Sequence, residues 1–428
     1  MTCRTLVFRA VLQCAAAAGC VCTGTTPLHS QRPLIRTIPT EALPATVREA
    51  LRGEATTVVD VDTDELTGIR TGASRRFLLD VGTGKIFTAR LTRTSALRGA
   101  VGWRGVLEGL SHSSVVLIAR NAALYGSIQV GDTIYYLAQI QDTIHTVTQR
   151  TQSGLPNELP PDSVGPPHGG DETDEGDIPP LAECPPAVVD VLVVYTPAAQ
   201  AEALADSLLL TMEQRAELAV DETNFALQSS GVLHSIRLVG VQEVQYAESG
   251  SLPTDRERLR MPGDGFLDTV QPLRQHAHAD VVSLWIAGVP GACGIGYIVK
   301  LPQVVLDMGY HVVPVACATT NHSFTHELGH NLGLAHDRAH TSPNSGAEPW
   351  SYGYQDPGGD FRTLMAYPGG CATSPGSCPR ERIFSNPDIQ FRGKAAGIDH
   401  AVNPQQSANN ALTARKTMCF VARWNQME

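Results

Sequence analysis

The sequence predicts two folding units of different class, a small all-β front half followed by an α/β domain. Three observations lead there. Short apolar runs between turn residues fill the chain up to residue 150, a Pro-, Gly- and acid-rich stretch follows over 151–183, and strand-like and helix-like runs alternate from 184 to 428. Alternation of the last kind is the pattern of an α/β architecture, whereas evenly spaced short strands belong to all-β units.

Residues 23–150 carry Thr57-Val58-Val59, Phe77-Leu78-Leu79, Ile86 to Leu91, Val115 to Ala119, Leu124 to Val130 and Ile134 to Ile140. Gly82-Thr83-Gly84 and Gly131-Asp132 punctuate them. Runs of this length between turn signals read as strands. Residues 151–183 contain Asp171-Glu172-Thr173-Asp174-Glu175-Gly176-Asp177 among prolines and glycines. Such a composition cannot bury apolar surface, so it reads as an exposed linker open to proteolysis. The acidic run is also compatible with a structural calcium ion, but nothing else in the sequence supports one.

In the back half, Val188 to Tyr195 is a nearly continuous β-branched run, as expected of a strand buried on both faces. Thr196-Pro197 offers an N-cap and a proline at the first helical position of a stretch reaching Gln228, with Gly231 beyond its end. Val232 to Val244 reads as a second strand, Leu267 to His278 as a helix and Ala279 to Ala287 as a third strand. Gly291, Gly294 and Gly296 weaken a regular ladder, so Gly291 to Val299 reads as an irregular edge strand. A further strand is expected over Val312 to Ala316, ahead of the next helix.

Arg4 and Arg9 precede the small-residue and apolar run Ala10 to Gly19, the pattern of an export signal over residues 1–22 and too short for a transmembrane helix. Ala17-Ala18-Gly19-Cys20 is also compatible with lipoprotein processing, which would leave a lipid anchor on Cys20. Either reading puts the chain outside the cytoplasm, secreted or anchored at the cell surface. Cys184, Cys293, Cys317, Cys371, Cys378 and Cys419 all lie in the back half, which suits disulfides in an exported chain. Many connectivities are open, and only Cys371 and Cys378 are close enough in sequence to favour as a pair. A net charge of −11 argues against a nucleic-acid partner, which needs a basic face. No signal bears on oligomeric state.

The chemistry is concentrated in His326-Glu327-Leu328-Gly329-His330-Asn331-Leu332-Gly333-Leu334-Ala335-His336-Asp337. Histidines four apart on a helix lie on one face, so His326 and His330 can reach one ion. Gly333 can adopt positive φ, end the helix and turn the chain so that His336 returns as a third nitrogen ligand. Three protein ligands leave a position for water, which marks a catalytic zinc rather than a structural one. Glu327, beside the first ligand, is placed to act on that water as a general base. A lone His-x-x-x-His mostly binds nothing; the full spacing is far more specific.

At these residues the chain resembles the metzincins, zinc peptidases that carry this extended motif together with a Met-turn. Thr363-Leu364-Met365-Ala366-Tyr367-Pro368 supplies the second signature, and the resemblance puts Met365 beneath the zinc-bound histidines. Asp337, directly after the third histidine, is similar to the adamalysin (reprolysin) branch. The likeness covers residues 184–428, including Val-Leu-Val-Val-Tyr-Thr-Pro at 191–197, the glycine-rich edge strand and Phe384-Ser385-Asn386-Pro387. It implies a mixed twisted sheet with an active-site helix, a single catalytic zinc, and internal cleavage of extended protein or peptide substrates. Those substrates would lie antiparallel to the edge strand around Gly294 to Val299. It also implies that residues 23–150 are the propeptide domain of a zymogen, cut within about residues 150–184.

Two points depart from the family. Many metzincin propeptides silence the enzyme with a cysteine thiolate, yet residues 23–183 contain no cysteine, so latency needs another ligand, steric cover, or is absent. Tyr367 matches a tyrosine that approaches the zinc in astacins and serralysins, which makes it a candidate transition-state donor that the adamalysin-like branch does not require. Arg380 and Arg382 are candidates for the substrate pocket that follows the Met-turn, against ordinary surface charge. His276 and His278 diverge on a helix and read as surface residues, and His322 and His340 read as solvated neighbours of the site. The competing readings are a zinc-binding protein without turnover, against which intact Glu327 speaks, and an exported adhesin whose front half is the working part.

Overall fold

The computed structural model describes residues 33–426 except 40, 42, 44–50, 52–55, 72–75, 83, 98, 111, 122, 163–181, 301–307 and 371–377. The expected signal over 1–22, Cys20, the acidic run at 171–177 and Cys371 lie outside the described residues. All the described residues belong to one compact unit, Arg32–Glu428.

The front half is a closed barrel of nine strands: β1 (Pro33–Thr37), β2 (Thr56–Val61), β3 (Arg76–Asp80), β4 (Ile86–Leu97), β5 (Ala100–Leu107), β6 (Ser113–Arg120), β7 (Ala123–Val130), β8 (Thr133–Gln141) and β9 (Ile144–Thr151). Helix α1 (Thr63–Thr71) contributes Leu66 and Ile69 to the core inside. β6 explains why its sequence is apolar without interruption. Val115, Leu117 and Ala119 point into the barrel, while Val116 and Ile118, on the opposite face, pack against Leu208, Leu218 and Phe225 of the back half.

The back half centres on a five-stranded sheet in the order β11-β10-β12-β14-β13. β10 (Val188–Tyr195), β11 (Ser235–Glu243), β12 (Val281–Ile286) and β14 (Tyr310–Pro314) run parallel, and the short edge strand β13 (Ile295–Gly296) pairs antiparallel with β14. The sheet is therefore mixed, and the irregular strand lies at its edge. The expected single helix after β10 is two, α2 (Pro197–Ala205) and α3 (Met212–Ser229). Thr211 starts α3 with a reciprocal capping box to Gln214, and Leu209 at φ 54° turns the chain before it. Helices α4 (Leu252–Arg260) and α5 (Val270–Ala277) follow; α4 had no sequence forecast.

Helix α6 (Ser323–Asn331) is buried at every position between the sheet and α3. Its Thr325 hydroxyl meets that of Thr223 at 2.8 Å. The two short strands β15 (Ala335–Asp337) and β16 (Tyr352–Gly353) pair beyond it, β17 (Asn386–Phe391) and β18 (Lys394–Ala396) form a hairpin, and α7 (Asn410–Val421) closes the chain. Disulfides join Cys184 to Cys419 and Cys293 to Cys317. Cys378 is also disulfide-bonded. No helix among the described residues is long and apolar enough to cross a membrane.

Candidate metal centre and substrate cleft

His326 and His330 stand one turn apart on α6, their ring centroids 4.8 Å from each other. Each ring is oriented by its Nδ1–H, which donates to the Leu364 carbonyl (2.9 Å) and the Leu334 carbonyl (2.7 Å) respectively. Both Nε2 lone pairs are thereby left free to point inward. Gly333, at φ +84°, ends the helix, and a side chain there would meet Ala347 Cβ at 2.5 Å. The chain turns, enters β15 and brings His336 Nε2 to 3.0 Å from the Nε2 atoms of both other histidines. Three buried nitrogen lone pairs facing one another repel unless a cation sits among them, so the donor set fits a bound metal ion. Burial pushes the His326 pKa down to about 4 and holds His330 and His336 well below the usual range, with the neighbouring imidazoles adding to it. All three rings are therefore neutral, the form that ligates.

Glu327 is fully buried beside this cluster, and neither carboxylate oxygen has a hydrogen-bond partner among the described residues. Burial, and then the charge of Glu158, raises its pKa well above the ordinary carboxyl value. The edge-strand glycines make room for it. A Cβ on Gly294 would come within 2.6 Å of Glu327 Oε1, and one on Gly296 within 3.0 Å of Oε2. Met365 lies under the histidine helix, so close that a side chain on Gly329 would meet its sulfur at 2.6 Å.

The Met-turn is tied to the third histidine through Asp337. Its Oδ2 accepts the Tyr367 backbone N–H at 2.9 Å, and its Oδ1 accepts from His340 Nδ1 at 2.8 Å. The Tyr367 ring lies 4.2 Å from that of His336, and its hydroxyl donates to the Glu158 carbonyl at 2.6 Å. Burial, with the charges of Glu158 and Glu327, raises the pKa of this phenol.

His276 and His278 are exposed, as expected. The expectation for His322 is corrected: it is 1% exposed, with Nε2 3.1 Å from Gln129 Oε1 of the barrel and Nδ1 3.6 Å from Glu222. His340 is half-buried as the partner of Asp337. Neither joins the metal cluster. The surface reading of Arg380 and Arg382 is likewise excluded, since both are buried. Arg382 bonds Glu222, Ser114 and Ser127. Arg380 forms a two-point pair with the fully buried carboxylate of Glu158, at 2.6 and 2.9 Å.

Glu158 was invisible in the sequence. It sits in Leu155-Pro156-Asn157-Glu158-Leu159-Pro160-Pro161, within the stretch expected to be an exposed linker, yet residues 157–162 run along the edge strand. The Cys293 N–H donates to the Asn157 carbonyl, Leu159 N–H to the Gly294 carbonyl and Ile298 N–H to the Asp162 carbonyl. Burial alone would raise the Glu158 pKa; Arg380, with His326 and Ser323, outweighs it and holds the group ionised, well below the usual range.

Residues 185–394 match the family described as "Metallo-peptidase family M12B Reprolysin-like". A peptidyl-Asp metalloendopeptidase of Stenotrophomonas maltophilia (strain R551-3) is 30% identical over 304 residues, covering 69% of this chain and 68% of the relative. One from Xanthomonas campestris pv. campestris is 28% identical over 332 residues, covering 73% and 75%. Another, from Stenotrophomonas maltophilia (strain K279a), is 31% identical over 294 residues, covering 67% and 66%.

Proposed function

The chain belongs to the M12B reprolysin-like metallopeptidases, and from that premise we propose which of its residues carry the reaction. It is a zinc-dependent endopeptidase. His326, His330 and His336 hold the zinc through Nε2, and Glu327 is the general base. The observation that carries this assignment is the convergence of three buried Nε2 atoms beside a carboxylate that has no hydrogen-bond partner among the described residues. When bound, zinc would supply a Lewis acid that lowers the pKa of water towards about 7 and polarises the scissile carbonyl.

Glu327 takes the proton of the attacking water and passes it to the leaving amide nitrogen; no acyl-enzyme forms. Gly294 and Gly296 keep its carboxylate clear of the strand that binds substrate. Tyr367 already donates to a backbone carbonyl in the cleft, which supports a role as hydrogen-bond donor to the oxyanion. The substrate strand lies antiparallel to β13, held by main-chain hydrogen bonds. Its sequence requirement is an aspartate next to the cleaved bond: the relatives are named peptidyl-Asp metalloendopeptidases, and Arg380 offers a buried guanidinium in the cleft. In the metzincin-like scheme the barrel and the following segment form the propeptide region of an exported zymogen, with residues 1–22 as its signal.

The test is digestion of an unfolded protein, with the new termini mapped by mass spectrometry. Cleavage next to aspartate, abolished by a chelator and restored by zinc, is expected; cuts with no acidic neighbour would contradict the aspartate reading. In the same assay Tyr367→Phe should lower kcat by roughly 10- to 1,000-fold at little changed KM. An unchanged kcat would make this tyrosine structural.

A further inference from the structure

We propose that Arg380 is the residue that selects an acidic substrate side chain, and that Glu158 is a built-in occupant of the same pocket, laid in the cleft in reverse. The proposal rests on the peptidase reading above and names the residue behind its specificity and the device behind its latency.

The pocket is built for a carboxylate. Glu158 Oε1 accepts from Arg380 Nη1 (2.6 Å), Ser323 Oγ (2.7 Å) and Asn321 Nδ2 (3.1 Å), and Oε2 accepts from Arg380 Nη2 (2.9 Å). A planar guanidinium taking both oxygens of a carboxylate is the arrangement that gives geometric selectivity as well as strength. Oε2 also lies 3.9 Å from His326 Nδ1, so the pocket opens directly behind the first zinc-ligand ring. Besides Glu158, Arg380 is held by one residue of the back half, Asn321, and two of the front half, Gln129 and Gln152. Its Nη1 donates to the Asn321 carbonyl, its backbone N–H to Gln152 Oε1, and its carbonyl accepts from Gln129 and Gln152.

Stability does not account for such a pair. A buried ion pair gives up so much hydration that apolar replacements of similar volume are often neutral or better. This one, moreover, is donated by a segment with no helix or regular strand of its own. Recognition accounts for it. A guanidinium that waits in a dry pocket for a carboxylate penalises every substrate that lacks one, because its donors are then left unpaired.

The direction of the chain explains why the occupant blocks. Asn157, Leu159 and Asp162 meet Cys293, Gly294 and Ile298 in ascending order on both sides, and the bridge between Asp162 and Tyr297 is parallel. A substrate running antiparallel to the same edge presents its carbonyl and N–H groups in the opposite order. The segment therefore fills the acidic pocket and engages Tyr367 through the Glu158 carbonyl, but offers its peptide bonds to Glu327 the wrong way round. Arg256 fastens the far end, bonding the Asp162 carboxylate (2.5 Å) and the Gly296 carbonyl (3.0 Å).

The experiment uses the full-length zinc-loaded chain, a quenched peptide with one aspartate, its asparagine counterpart, and hydrogen exchange at residues 155–162. Glu158→Gln should speed hydrolysis of the aspartate peptide at least about tenfold, because a tethered competitor acts at roughly millimolar effective concentration. The Leu159 amide should exchange faster at the same time, whatever the activity. Glu158→Gln combined with Arg380→Gln strands no buried charge, and its preference for aspartate over asparagine should fall at least about 10²-fold. Arg380→Lys in the same background should restore part of it. A Glu158→Gln chain as slow as wild type, with Leu159 still protected, would overturn the blocking role. Aspartate preference surviving Arg380→Gln would overturn the selecting role. Vigorous cleavage by Glu158→Gln with no preference for aspartate at all would instead overturn the aspartate reading, and Arg380's part with it, while the exchange data still decide the block.

Discussion

Arg382 and Arg380 stand two positions apart, both are buried, and each grips a buried glutamate, yet the two glutamates differ in kind. Glu222 belongs to α3 and is shared with Ser127 of the barrel, and the pair sits in an interface that also holds Arg104 with Asp221, and Arg120 and Tyr125 with Glu217. Around these lie Val116, Ile118, Tyr136, Leu218 and Phe225, so the contact is backed by apolar burial. Glu158 arrives instead on a proline-bounded segment held by three main-chain bonds, its own side chain, and side-chain bonds from Tyr367, Asn321 and Arg256. The same kind of ion pair thus lies inside an apolar interface between two folded units in one place and, in the other, fills a cleft with something that can be withdrawn.

The largest expected effect concerns maturation. A cut within residues 163–181 falls after both contacts, so it severs the chain without clearing the cleft. The two fragments should co-elute in size-exclusion chromatography, with activity at the precursor level until the front fragment is degraded. Full activity immediately after a single cut there would break the comparison. A smaller effect separates the arginines directly. Arg382→Met strands Glu222 inside a closed interface and should cost about 3–5 kcal/mol in urea unfolding. Arg380→Met strands a glutamate whose segment can swing into water, so its cost should be less than about half of that. Equal losses would show that residues 157–162 are as firmly built in as α3.

The difference between the two regions is also the difference between what could and could not be read from residue order. The motif around His326 and the Met-turn were legible because helical spacing, one glycine turn and a methionine are local facts with few alternative uses. The edge strand was legible through its glycines, although their reason was not: they clear space for Glu327 from a helix more than thirty positions away. Glu158 was illegible because its burial depends on Arg380, 222 positions further on, and the prolines around it suppress every periodic signal. The buried role of His322 was missed for the same reason, its partners being Gln129 on β7 and Glu222 on α3. The break between α2 and α3 was the one local miss, since the Thr211–Gln214 capping box is visible in the sequence. The Cys184–Cys419 and Cys293–Cys317 pairings require the fold, because sequence spacing does not choose among the connectivities.

The central claim is that three histidines hold the metal while Glu327 works on the water. Its most direct test is zinc content by elemental analysis beside hydrolysis of an unfolded protein, for chains freed of the segment's block by Glu158→Gln. Adding Glu327→Ala should leave zinc content unchanged and lower hydrolysis by at least about 10²-fold, the low end for loss of a positioned base. Adding His330→Ala should lower zinc content itself. Undiminished hydrolysis by the Glu327→Ala chain, or full zinc content in the His330→Ala chain, would contradict the account.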